Sequence, residues 1–126
     1  MSFASEEKLV EAFHSMWDNY PEQVRLIDRT FRVVAGNKAY TAIGGPVGVH
    51  CNEGDPAMHK GCQAQAALRD GESKSMKNEA MGIPMESLWV PVAGETDYYI
   101  HFTNGMNDFF KKLMEQQPPM GQPPQG

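Results

Sequence analysis

Residues 24–48 read Val24-Arg25-Leu26-Ile27-Asp28-Arg29-Thr30-Phe31-Arg32-Val33-Val34-Ala35-Gly36-Asn37-Lys38-Ala39-Tyr40-Thr41-Ala42-Ile43-Gly44-Gly45-Pro46-Val47-Gly48. Val24 and Leu26, then Phe31, Val33 and Ala35, recur at every second position, the period of a strand with one covered face. Asp28-Arg29-Thr30 between them has the polar composition of a reversing turn. Asn37 is placed to cap a short helix by accepting a backbone N–H, and Gly44-Gly45 closes that helix. The stretch predicts strand, turn, strand and helical turn.

Upstream, residues 5–20 predict an amphipathic helix, with Leu9, Val10, Phe13, Met16, Trp17 and Tyr20 on one stripe. Ser5 serves as its N-cap, Glu6 and Glu7 suit its positive end, and Pro21 stops it. Downstream, residues 46–60 are rich in Gly, Pro, Asn and Asp and predict irregular chain. A helix is expected over 57–69, stopped by Asp70-Gly71, and a polar strand over 72–80. Residues 85–93 alternate, Gly94-Glu95-Thr96-Asp97 turns, and Tyr98 to Thr103 alternate again, which predicts a hairpin. Met106, Phe109, Phe110, Leu113 and Met114 mark a second amphipathic helix. The division expected is an N-terminal helix at 1–21, a core at 22–105, a C-terminal helix at 106–116, and a disordered Pro/Gly/Gln tail at 117–126.

The 126 residues make one domain, and the formal charge of −5, with no Lys/Arg cluster, argues against nucleic-acid binding. No apolar run approaches the ~20 residues that span a bilayer. The first residues lack the basic and apolar regions of a signal peptide, so with two cysteines a reducing cytoplasm is expected.

The succession hydrophobic-x-hydrophobic-Ile27-Asp28, a turn, Val33-Val34-x-x-Asn37-Lys38-Ala39-Tyr40, and a Gly-rich step resembles the opening of a PAS domain. The resemblance covers residues 22–104 and is carried by 24–48 and 85–103. It implies an α+β fold: a five-stranded antiparallel sheet with short helices on one face and amphipathic helices at both termini. It also implies a sensory or regulatory module of bacterial signal transduction, non-catalytic, which binds a small ligand or cofactor or pairs with another subunit. PAS domains that drive an effector often end their last strand in Asp-Ile-Thr, where this chain has Phe102-Thr103-Asn104-Gly105. Asn104 cannot carry the charge, so output is expected through dimerisation or a protein partner rather than through that junction.

In PAS domains the loop and helix near residues 46–62 flank the ligand pocket. Met58, Met76, Met81 and Met85 are then adaptable pocket wall or plain core filling, and Tyr40, Trp89, Tyr99 and His101 offer polar tips. The ligand-binding set expected is Tyr40, Met58, His59, Met76, Trp89, Tyr99 and His101. Trp89, Pro91, Tyr99, His101 and Thr103 share one parity, opposite to Val90 and Ile100, and the register decides which set lines the pocket. Haem-bearing members take an axial histidine from this region, where His59 lies; the compact Asn-Cys-Arg motif of flavin photoreceptors is absent. The cofactor is left unassigned.

Both cysteines and two of the four histidines fall between His50 and Cys62. One reading is a metal site drawn from His50 or Cys51 with His59 and Cys62, although no Cys-x-x-Cys pair is present. Another is a reversible Cys51–Cys62 disulfide acting as a thiol switch. The third is ordinary core and loop residues. No catalytic set emerges beyond these Cys/His combinations, and no phosphate-cradling Gly motif is present. The alternative architecture is a cone-shaped α+β enzyme, an isomerase or hydrolase, which needs longer bent strands than residues 72–103 offer. A homodimer is expected from two apolar helical stripes competing for one small sheet.

Overall fold

The computed structural model describes residues 5–50 and 62–115. The first helix, α1 (Glu6–Trp17), starts where expected: the Ser5 hydroxyl accepts the Lys8 N–H at 3.2 Å, and Glu6 and Glu7 occupy the first turn. There follow β1 (Val24–Asp28), β2 (Val33–Gly36) and α2 (Lys38–Ala42), then α3 (Ala64–Asp70). The chain closes with β3 (Lys74–Ala80), β4 (Ile83–Pro91), β5 (Tyr98–Asn104) and α4 (Met106–Glu115). The helix expected over 57–69 is shorter in its described part, Ala64–Asp70, with Gly71 left-handed at φ +65° as its stop. Residues 57–61 lie outside the described residues.

The five strands form one antiparallel sheet in the order β2-β1-β5-β4-β3. The hairpins β1–β2, β3–β4 and β4–β5 are local. The central pairing of β1 with β5, from Val24↔Phe102 to Asp28↔Tyr98, joins the two ends of the core. The β1–β2 turn rests on Asp28, whose carboxylate accepts from the N–H groups of Thr30 and Arg32 and from the Thr30 hydroxyl. Val49 accepts from the Val33 N–H and Val33 accepts from the Gly48 N–H, so chain beyond α2 covers the edge strand β2.

Alternation along the strands sorts side chains onto two faces. Leu9 and Phe13 of α1 pack on Val24, Leu26, Val34, Ala35 and Ile100, with Trp17, Tyr20 and Phe102 beside them. The N-terminal stripe, Met16 excepted, is thus covered by its own sheet. The opposite, inner face carries Ile27, Val33, Trp89 and Tyr99, packed against Tyr40 of α2 and Ala64 and Ala67 of α3. The register therefore assigns the Trp89/Tyr99/His101 parity to the face under the short helices.

Asn37 ties these parts together and is 0% exposed. Its Oδ1 accepts from the N–H groups of Val24 (3.0 Å) and Tyr40 (3.1 Å). Its Nδ2 donates to the carbonyls of Trp17, Tyr20 and Glu22. Capping α2 is only part of its role: one amide links the end of α1, the start of β1 and the start of α2.

Asn37→Ala is expected to cost at least about 3 kcal/mol, since each buried polar group left unpaired costs about 1–3 kcal/mol. Asn37→Asp keeps one accepting oxygen but turns the other toward three carbonyls, raising that carboxyl's pKa. An acid raised in the folded state favours folding at low pH, so this variant loses stability as pH rises above about 4. Urea denaturation at about pH 5 and pH 7.5 checks this; a deficit equal at both pH values contradicts the carbonyl cage.

Candidate functional site

The strand pairings place one row of residues across the inner face: Gly36 on β2, Arg25 on β1, His101 on β5, Trp89 on β4 and Lys74 on β3. Neighbouring strands are about 4.8 Å apart, so these are successive neighbours. The Tyr40 ring lies over Gly36, where any Cβ would fall 2.1 Å from Cδ2, so only glycine fits beneath it. Lys74 at the far end is paired with Asp70 at 2.9 Å. Arg25 and His101 stand between two aromatic side chains.

His101 and Trp89 stack, with ring centroids 4.8 Å apart and planes 13° from parallel. The His101 Nδ1 lies 2.8 Å from the Leu88 carbonyl oxygen. A carbonyl only accepts, so Nδ1 carries the hydrogen and Nε2 presents its lone pair. Burial, reinforced by the positive charge of Arg25, pulls the His101 pKa down to about 4, against the backbone hydrogen bond, which favours the charged form. The ring is neutral at neutral pH.

Of the expected ligand-binding set, this face brings together Tyr40, Met76, Trp89, Tyr99 and His101. The Tyr40 hydroxyl donates to the Pro46 carbonyl at 2.7 Å. Trp89 and Tyr99 are 4% and 1% exposed, and Met76 packs at the margin of the same cluster. Met58, His59 and Cys51 lie outside the described residues, and Cys62 is exposed just before α3. Among the described residues no group of three or more His, Cys, Asp or Glu side chains converges as a metal site would.

Arg25 is absent from the expected set. A charged residue between Val24 and Leu26 was its signal, but only the β1–β5 register puts it beside His101.

The second site of interest is the junction of β5 with α4. The Glu22 carboxylate accepts the N–H groups of Gly105 and Asn107, each at 2.9 Å, and so caps the start of α4. Asn107 donates to the Pro21 carbonyl and accepts from the Gln23 amide, and the Tyr20 hydroxyl donates to Asn104 Oδ1 at 2.6 Å. The carboxylate at this junction is thus that of Glu22, where residue 104 is an uncharged Asn. Gly105 sits at φ +98°, with space for a Cβ closed by the Pro84 carbonyl 2.5 Å away. Beside this junction an open groove of about 360 Å³ is lined by Lys77, Pro84, Met85, Glu86 and Asn104, none of them in the Arg25–His101 row. Further along α4, Lys112 donates to the Met81 carbonyl.

No known family profile matches the sequence, and no curated protein matches it. Solved structures do match in shape. The PAS domain of BvgS from Bordetella pertussis superposes with a TM-score of 0.58 at 18% identity, covering 86% of this chain and 96% of that one. A sensory box sensor histidine kinase from Vibrio cholerae gives 0.55 at 11% identity, covering 78% and 87%. A domain of an HTR-like protein from Haloarcula marismortui gives 0.51 at 14% identity, covering 66% and 95%.

The chain has a PAS fold. In PAS terms, the Arg25–His101–Trp89 row belongs to the sheet face beneath the short helices, and the Glu22 cap belongs to the outgoing helix. No helix among the described residues is long and apolar enough to cross a membrane.

Two predictions follow from these contacts. An unfolded histidine titrates near 6.5 and folded His101 at about 4, so between those values the unfolded chain binds more protons. Stability from this source is complete above pH 6.5 and is lost as pH falls toward 4, a contribution of order 3 kcal/mol. His101→Phe keeps a ring on Trp89 and removes the titration. Its urea-midpoint profile should be flatter than that of the unaltered protein across this window, and parallel profiles would count against a buried neutral imidazole. Glu22→Gln weakens both capping bonds, and amide hydrogen exchange in α4 should quicken by about tenfold while the β1–β5 amides stay slow.

Proposed function

We propose that this PAS fold is a non-catalytic sensory or regulatory module that binds a small ligand on its inner face and reports occupancy through α4. The observation that carries the reading is the course of β5. His101 lies in the inner row, and three residues on, Asn104 is bonded to Tyr20 at the foot of α4. The same strand therefore touches both the candidate site and the outgoing helix. Glu22, two residues before the central strand that carries Arg25, holds the first turn of that helix. A shift of β1 against β5 would be felt at both places. Similarity to the Vibrio cholerae sensor histidine kinase domain supports a sensory role.

A second copy of the chain is the partner proposed for α4. None of the residues of α4 is buried, Phe109 and Phe110 are only half-covered, and Met114 is 74% exposed. Met16 on α1 is likewise 68% exposed.

The test is to purify the protein anaerobically, record its absorption spectrum and analyse by mass spectrometry whatever it releases on denaturation. Amide exchange in α4 is then followed before and after the released compound is stripped away. A stoichiometric compound whose removal changes exchange in α4 supports the reading. Removal that leaves α4 unchanged, or a protein that carries nothing, argues for a pure protein-interaction role.

A further inference from the structure

The chain has four arginines, and three of them are paired: Arg29 with Asp97, Arg32 with Asp28 and Glu6, and Arg69 with Asp70. Arg25 makes no hydrogen bond or ion pair with any described residue, although it is half-buried. This happens in a chain where 16 carboxylates outnumber 11 lysines and arginines, so carboxylate partners are not scarce. Its neighbour across the strand is His101, and Lys74, two strands further on, is already engaged by Asp70. A half-buried guanidinium without an anion is costly, and its planar fork matches a carboxylate.

His101 adds a second requirement. With Nδ1–H given to the Leu88 carbonyl, Nε2 can only accept. The row therefore offers a cationic donor and, one strand over, a neutral acceptor. On either side stand the Tyr40 ring and the Trp89 indole, and Ile27 and Tyr99 form the adjoining apolar row.

We propose that this row binds a small organic acid whose carboxylate pairs with Arg25 and whose hydroxyl or amino hydrogen is accepted by His101 Nε2, its remaining part lying along the row between the Tyr40 and Trp89 rings. The proposal rests on the sensory reading above and narrows its ligand to 2-hydroxy or 2-amino acids and their close analogues. A simple fatty acid satisfies Arg25 but leaves the Nε2 lone pair without a hydrogen-bond donor. A neutral amide leaves Arg25 unpaired. Sites built around a hydrogen bond reject analogues that lack it far more strongly than apolar pockets reject a missing methylene.

The experiment is calorimetric titration of the full chain with matched probes: mandelate, phenylacetate and mandelamide, then lactate, propionate and lactamide. The hydroxy acid of each set is expected to bind at least about tenfold more tightly than its two analogues, the loss expected when one buried partner is removed. Arg25→Gln should abolish binding of the hydroxy acids. His101→Phe should leave weak acid binding but erase the preference for the hydroxyl. Far-ultraviolet circular dichroism and urea midpoints establish that both variants fold. A ¹⁵N spectrum of the imidazole should show Nε2 shifting on addition of the hydroxy acid, with Nδ1 remaining protonated. Equal affinity for all three members of a set, full binding by Arg25→Gln, or no binding by either hydroxy acid overturns the proposal. The sensory reading falls separately, if α4 exchange does not respond when the compound released from the native protein is removed.

Discussion

The fold depends on one buried amide. Asn37 is fully enclosed, and five backbone groups from three elements converge on it. Those groups are carbonyls at the end of α1 and in the connection after it, and N–H groups at the starts of β1 and α2, positions where the backbone has few partners of its own. Because Asn37 follows β2 directly, its position also fixes where α2 begins, and hence where Tyr40 lies on Gly36. The inner face is shaped by this chain of dependence before any ligand is considered.

Much of this was legible in the sequence, and the reason is that the period of a strand and the chemistry of a cap are local. Residues 24–42 declare strand, turn, strand and capped helix through side chains within a few positions of one another. Asp28 and Asn37 act on neighbours as their types suggest. The hairpin at 91–98 and the stop at Gly71 belong to the same class of signal. The polar strand Lys74–Ala80 was the weakest of the strands to read because it lies at the sheet edge, where neither face is fully covered and alternation is faint.

What the sequence concealed depends on register and on distant pairs. Trp89, Tyr99 and His101 share a parity that any reading finds, but their face is settled only by the pairing of β1 with β5, whose partners are 70 to 78 residues apart. Arg25 becomes a site residue by the same pairing. Glu22 looks like an ordinary acidic residue after a proline, and its role as the cap of α4 spans 83 residues to Gly105. Asn104 lacks the charge that the resemblance implies for its position, and the carboxylate at the junction belongs to Glu22, far off in the chain.

The electrostatic layout then separates two roles that the same sheet must serve. Charges at the rim are neutralised locally: Arg32 bridges Asp28 and Glu6, and Glu6 also accepts the Tyr98 hydroxyl, holding the start of α1 to the sheet. Those contacts favour a fixed outer face. Inside, Arg25 has no ion-pair partner among the described residues and stands beside an imidazole kept neutral by burial. Meanwhile α4 contributes no buried residue and is held mainly by polar contacts at its first turn and by Lys112. An element anchored by a few hydrogen bonds opens at lower free energy than the packed sheet. Neutralising Arg25 would alter the field and packing along β1 and β5, the two strands that end at those anchors. The helix that contributes no buried residue is therefore joined, through β1 and β5, to the row that holds Arg25.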